Sequence, residues 1–362
     1  MSKTNISSLE LAAIANELQF LVKGKFTQIY HQEKKELLFQ LHARNEGKQL
    51  LKIIPGKYVC ITKNKDAPLK PSSFCMQLRK YIANATINKI YQQEADRVLV
   101  FELEKAEKFN LIVELYSKGN LIMTDSDYKI IAALERQKIA GRLVKVGEPY
   151  TFPIPKIDWK AISEKDFSSV IKKSDKKNIA TTLATELGLG GLYAEEVCKL
   201  SEIEKGVLPG DVSSKDVKII FKNLKSLLEK IKTPAGFIYE EQITPFPLLD
   251  QKEVKKVASY SAALDTLDPF KVISPYEKRI RTIERMIAAQ EKATGKQDKA
   301  IELNTKKGEL VYEKYADLQK LLDFVKVSCE EGMEWREIGE NLKQVKKINK
   351  IDLKNKKIKI EL

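Results

Sequence analysis

Two rhythms of apolar residues divide the chain. Over residues 7–22 the segment Ser7-Ser8-Leu9-Glu10-Leu11 leads into Ile14, Leu18 and Leu21 on one helical face. A serine caps its start and Gly24 follows as a stop, so the spacing predicts an amphipathic helix. Alternating and β-branched runs come next and predict strands at 26–30, 36–41, 49–54 and 58–62. Gly47, Pro55-Gly56 and a loop with Pro68 and Pro71 punctuate them. Helical period returns over 73–83 through Phe74, Met76, Leu78 and Ile82. Strands are then predicted at 87–91, 97–103, 111–116, 121–124 and 129–134, with Gly119-Asn120 as a hairpin turn. The first ~150 residues therefore read as an α+β unit dominated by antiparallel strands.

Beyond it the pattern becomes helical. Pro149 to Pro155 and the polar run 172–177 read as a linker. A helix over 178–187, the turn Gly188-Leu189-Gly190-Gly191 and a helix over 192–200 make a helical hairpin, and 216–231 adds another amphipathic helix. Short extended pieces are predicted at 237–239 and 244–249. From Pro275 the residues Ile280, Ile283 and Ile287, then Leu310, Tyr315, Leu318, Leu322 and Val325, recur at threes and fours, the seam of a coiled coil. Gly295 and Gly308 lower helix propensity between them. A short helix over 335–342 and a hairpin at 351–362, turning through 354–357, close the chain. The long helix has no return partner in the sequence, and a strand runs to the last residue. Both features predict a chain cut from a longer one.

Composition narrows the function classes. Val98-Leu99-Val100-Phe101, among the longest uncharged apolar runs, is far short of the ~20 residues of a membrane span. Glu10 and Glu17 interrupt the first apolar stretch, so no signal peptide is expected. Cys60, Cys75, Cys198 and Cys329 lie far apart, with His31 and His42 the only histidines, and build neither a disulfide framework nor a zinc site. Walker, dinucleotide-binding and nucleophile-elbow motifs are absent. A reduced cytoplasmic protein without metal, cofactor, catalytic residue, membrane contact or small-molecule substrate is the expectation.

The formal charge is +14, and its location matters more than its size. Residues 1–100 carry a net +8 and residues 341–362 a net +6, while the 240 residues between are neutral. Such concentration fits a polyanionic partner, although a solvated lysine-rich surface explains the charge equally well. Three local candidates follow. Between Arg44 and Lys80 there are nine basic and two acidic residues, and Arg79-Lys80 on the second helix could track phosphates beside Tyr81. Asp96-Arg97 stands at a strand start, where neighbours face opposite sides; Arg suits phosphate or a guanine edge and Asp accepts from base or ribose. The Gly188, Gly190 and Gly191 turn could present backbone N–H groups to a phosphate, against which Glu195 and Glu196 count. Each also has a plain structural alternative: a surface salt bridge, a solvated helix face, an architectural hairpin.

Longer motifs are more specific. The opening Ser7–Leu11 segment, Phe74-Cys75-Met76-Gln77-Leu78-Arg79-Lys80, Asp96-Arg97, Glu114-Leu115-Tyr116-Ser117-Lys118-Gly119-Asn120 and Gly147-Glu148-Pro149-Tyr150 resemble the NFACT-N domain of the NEMF/RqcH family. Gln290-Glu291-Lys292-Ala293 and the segment from Lys307 to Tyr315 resemble the start of that family's coiled coil, and Trp335-Arg336-Glu337-Ile338 its middle region. The resemblance implies an NFACT-N domain at 1–176, a helix-hairpin-helix domain at 177–235, and a middle region at 236–362 with a truncated coiled-coil helix over about 275–326. It implies an N-terminal fold similar to formamidopyrimidine-DNA glycosylases. It also implies a ribosome-associated quality-control factor, not an enzyme. Such a factor binds the obstructed large ribosomal subunit with its rRNA and stalled nascent chain, and recruits tRNA for template-free C-terminal tailing, with alanine. Carried over by position, Asp96 and Arg97 match a pair implicated in tRNA recognition, and Glu10 stands where the family more often has Asp. A DNA glycosylase/lyase is the alternative from fold, but Ser2-Lys3 replaces its Pro-Glu start. An adhesin is the alternative from relatives labelled fibronectin-binding.

Overall fold

The computed structural model describes residues 5–32, 35–65, 70–139, 142–153, 157–240, 242–267, 275–343, 348–352 and 357–360. Ser2, Lys3, Pro68, Pro155, most of the predicted 354–357 turn and the side chain of Ile280 lie outside them. The chain divides into two compact units, Met1–Phe270 and Lys271–Leu362.

The first unit begins with α1 (Ser8–Glu17), continued by a 3-10 turn at Leu18–Leu21. Ser7 accepts from the Glu10 N–H and the Glu10 side chain accepts from the Ser7 N–H, so two of the orphan donors at the helix start are satisfied. The predicted amphipathic helix is in fact buried on every side from Ser8 to Ala15. Ala12, Ala13 and Ala15 occupy what a surface helix would leave polar, and their small size admits close neighbours all round.

Strands β1 (Lys25–His31), β2 (Leu37–Ala43), β3 (Gly47–Ile54) and β4 (Tyr58–Thr62) form one antiparallel meander. Helix α2 (Ser73–Ile82) leads to a second meander of β5 (Thr86–Gln92), β6 (Val98–Glu104), β7 (Lys108–Glu114), β8 (Asn120–Asp125) and β9 (Ile130–Ala133). The nine strands run in the order β4-β3-β2-β1-β5-β6-β7-β8-β9, and β1 meets β5 only at Lys25 and Thr86. The main core lies on the face carrying α1, with Phe39 and Phe101 each edge-on to Phe26. Val98, Val100, Ile112 and Ile122 build a smaller core on the opposite face.

The predicted strand 111–116 is displaced to Lys108–Glu114, and a five-residue loop replaces the expected tight Gly119-Asn120 turn. The reason is contact. A Cβ on Gly119, whose φ is +66°, would stand 1.8 Å from the Gly56 nitrogen, so this loop packs backbone to backbone on the 55–57 turn. Leu115 meanwhile donates its N–H to the Arg97 carbonyl at 2.8 Å. The hairpin β10 (Gln137–Ile139) and β11 (Arg142–Val144) was not predicted. It brings Arg142 to Glu114 at 3.2 Å, where Tyr150 also donates to the same carboxylate at 2.9 Å. Burial, with Glu114 beside it, pushes the Tyr150 hydroxyl well above its ordinary pKa, so it remains a donor.

Helix α3 (Glu164–Lys173) interrupts the region read as a linker, capped by Ser163 and held by Phe167 and Ile171. The predicted helical hairpin is α4 (Ile179–Thr185) and α5 (Gly191–Leu200), followed by α6 (Ser214–Lys230). A small sheet of β12 (Gly236–Ile238), β13 (Ile243–Thr244) and β14 (Lys255–Val257) and the short α7 (Tyr260–Leu264) complete the unit. Of the predicted 244–249 strand only its first residue is extended sheet. Lys52 and Thr62 hold Asp265 at 2.6 and 2.9 Å, fastening the end of α7 to β3 and β4.

In the second unit the predicted long helix is α8 (Pro275–Glu313) and α9 (Tyr315–Glu330), interrupted at Lys314. Helix α8 runs through Gly295 and Gly308, whose Cβ positions are open. Ile283, Ile287, Leu310, Tyr315 and Leu322 of the seam are exposed. Helix α10 (Trp335–Lys343) and the antiparallel pair β15 (Ile348–Asp352) and β16 (Lys357–Ile360) follow. Among the described residues no helix is long and apolar enough to cross a membrane.

Candidate nucleic-acid interface

Six of the eight residues singled out from sequence line one cleft of about 490 Å³: Glu10, Asp96, Arg97, Gly188, Gly190 and Gly191. They come from α1, the turn before β6 and the α4–α5 turn. Nothing in their spacing announced the meeting.

Glu10 is a hinge pin of this cleft and not a free ligand. It is 2% exposed, takes the Ser7 N–H at 2.7 Å on one oxygen and the Tyr193 hydroxyl at 2.6 Å on the other. The Tyr260 hydroxyl bonds it as well. Burial, then the adjoining Glu10 charge, raises both tyrosines far above their ordinary pKa, so they stay protonated donors. One carboxylate thus joins α1, α5 and α7.

The turn carrying Asp96-Arg97 is fixed just as firmly. Ser8 donates to the Ala95 carbonyl, and the Gln92 amide donates to the Ser8 carbonyl at 2.9 Å and the Asp96 carbonyl at 2.7 Å. Asp96 accepts the Arg97 N–H on Oδ1 at 2.7 Å, which leaves Oδ2 for another donor. Among the described residues no group bonds the Arg97 guanidinium. A half-buried, unpaired arginine on a fixed turn is poised for an anion.

The third wall is the start of α5. Gly188 and Gly190 have φ of +75° and +81°, a conformation that glycine adopts without strain. Gly190 is the N-cap and offers no side chain to the first turn, so the N–H groups of Gly191 and Leu192 have no intrahelical acceptor. A Cβ on Gly190 would lie 3.9 Å from Ser7 Cβ, so the starts of α1 and α5 meet here. Free amides, the positive end of α5 and Arg97 converge on one space.

Arg79 and Lys80 do not line it. Arg79 donates through Nε and Nη2 to the Ile29 carbonyl at 2.9 and 2.5 Å and lies 5.6 Å from the Tyr30 ring centre. Its guanidinium holds α2 to β1. Lys80 is exposed beside Tyr81. Sequence reasoning missed Ser8, Gln92 and Tyr193. The Ser7-to-Glu10 spacing is that of a capping box, a signal the reading of a serine cap did not use, whereas Gln92 acts across 84 residues of chain and left no local trace. No cluster of three or more metal-ligating side chains exists among the described residues.

The family model for NFACT N-terminal and middle domains matches residues 7–361. The chain belongs to this NFACT family. Two relatives extend the comparison. This NFACT chain is 28% identical to the archaeal Rqc2 homolog aRqcH of Methanocaldococcus jannaschii, over 95% of this chain and 55% of that protein. It is 22% identical to the human ribosome quality control complex subunit NEMF, over 93% of this chain and 35% of that protein. The chain therefore spans about half or less of the length of these relatives. In fold it is similar to the N-terminal part of the fibronectin/fibrinogen-binding protein from Streptococcus suis, with a TM-score of 0.60 and 22% identity over 72% of this chain and 98% of that one.

Proposed function

We propose that this NFACT chain is the tRNA-facing part of a cytoplasmic ribosome quality-control factor. It binds the obstructed large subunit with its stalled nascent chain and recruits tRNA for template-free C-terminal tailing, with alanine as the added residue. Peptide-bond chemistry stays with the ribosome, so the protein positions and does not catalyse. What supports this reading is that Arg97, whose guanidinium has no partner among the described residues, lines the Asp96 cleft together with the uncapped start of α5. Arg97 and the α5 amides take a phosphate, while the free Asp96 oxygen accepts from a base or ribose donor beside it. Glu10, Ser8 and Gln92 hold these groups in place. The domain assignment 1–176, 177–235 and 236–362 belongs to the same proposal.

The test is tRNA binding by Asp96→Ala/Arg97→Ala. Loss of a charge-assisted contact predicts at least about tenfold weaker binding by a domain that still folds, the lost bond from the Arg97 N–H to Asp96 costing about 1 kcal/mol of stability. Parental affinity in the double variant would sink the assignment. Co-sedimentation with split large subunits tests the ribosomal half, and recovery only in the free fraction contradicts it.

A further inference from the structure

A second cleft, of about 560 Å³, lies between the far half of α1, the end of β5 and α6. Three lysines line it, Lys160, Lys225 and Lys232. Lys225 donates to the Lys160 carbonyl at 3.1 Å, and Lys160 donates to the Glu94 carbonyl. Main-chain carbonyls orient these charges without neutralising them, and among the described residues neither ammonium has a carboxylate within ion-pair distance. Lys232, at the same rim, is by contrast paired with Glu229 at 2.6 Å.

The two clefts adjoin. Gln92 lines the second cleft, while its amide holds Ser8 and the Asp96 carbonyl of the first. Glu94, which takes the Lys160 ammonium, belongs to the same turn as Asp96 and Arg97. The turn that carries Arg97 is thus also the one to which Lys160 is fastened. We propose that the Lys160–Lys225 cleft is a second phosphodiester subsite, taking the backbone of the same RNA strand that reaches Arg97. The proposal rests on the tRNA reading of the first cleft.

Electrostatics support it. Burial lowers the Lys160 pKa to about 8 despite Asp158 and Glu94 nearby. Lys225 and Glu229 face the cleft from α6, Lys232 from just beyond its end and Tyr91 from β5, and Glu229 is already spent on Lys232. An incoming phosphate supplies the missing counter-charge, and RNA binding should draw a proton onto Lys160 at alkaline pH.

The experiment measures tRNA affinity of the full 362-residue chain across a salt series. Lys160→Gln and Lys225→Gln should each weaken binding about fivefold, and together reduce the slope of log K against log salt by about one to two. Lys232→Gln, at a paired and exposed lysine, should change affinity less than about twofold. Between pH 7 and 9 the parent should lose affinity, while Lys160→Arg, charged throughout, should hold it. That comparison needs no destabilising variant. Unchanged affinity and slope in Lys160→Gln/Lys225→Gln, with Asp96→Ala/Arg97→Ala still weak, overturns the second subsite alone. Equal losses in Lys232→Gln reduce it to diffuse surface charge and also overturn it. A parent chain that binds no tRNA overturns the reading of the first cleft, and this one with it.

Discussion

At the scale of single residues, Glu10 and Arg97, both read from the sequence, separate into different roles. Glu10 receives donors from three elements, so Glu10→Gln turns an amide N–H toward a donor and leaves a buried hydroxyl unmatched. It should cost about 1–3 kcal/mol in urea unfolding, whereas Arg97→Ala, which breaks no side-chain bond among the described residues, should stay within about 0.5 kcal/mol of the parent. A similar loss in both would mean that Arg97 is structural. Lys160 gives a pH signature. Its folded pKa of about 8 lies below the ordinary 10.5, so between those values the unfolded chain binds more protons and stability rises with pH. The stability difference between parent and Lys160→Met should therefore be flat below pH 8 and shift in favour of the parent from 8 to 10.5. A difference that stays flat from pH 7 to 10.5 contradicts burial of that ammonium.

Elements differ in how plainly the chain announces them. The strands of both meanders alternate or run apolar for four to eight residues, and the predictions found all nine within a few positions. Helix α3 escaped because only Phe167 and Ile171 are buried in its ten residues. Too few apolar positions set a period. Helix α7, at five residues, is shorter than any periodicity, and Glu17 from α1 caps its first amides at 3.0–3.2 Å, a partner 243 residues away. The cleft itself was legible only as separate motifs, because what joins them is contact across the fold. The 115–119 loop makes the point testable. Gly119 has both a positive φ and a Cβ position 1.8 Å from backbone, with no flexible side chain to yield. Gly119→Ala should destabilise by about 3 kcal/mol or more, while Gly47→Ala, at similar φ but in open space, should cost about 1 kcal/mol. Equal effects would remove the backbone contact as the cause.

On the scale of the whole molecule, the +14 charge lies in two units. Residues 1–100 and their +8 belong to the first compact unit, and residues 341–362 with +6 to the second. If the Asp96-Arg97 cleft is the tRNA site, the first unit carries the affinity by itself. It has its own core, and its clefts are lined by residues 5–242 alone. A protein of residues 1–270 should fold cooperatively and bind tRNA within about threefold of the full chain, because each lost phosphate contact removes ~0.7–0.9 from the salt slope and none is expected to be lost. A protein of residues 271–362 keeps the +6 without the cleft. It should bind tRNA and unrelated polyanions alike. A drop of more than tenfold for residues 1–270 would move the recognition surface to the second unit. The cleft would then be a device for holding α1 and α5 together, which its buried Glu10 already does.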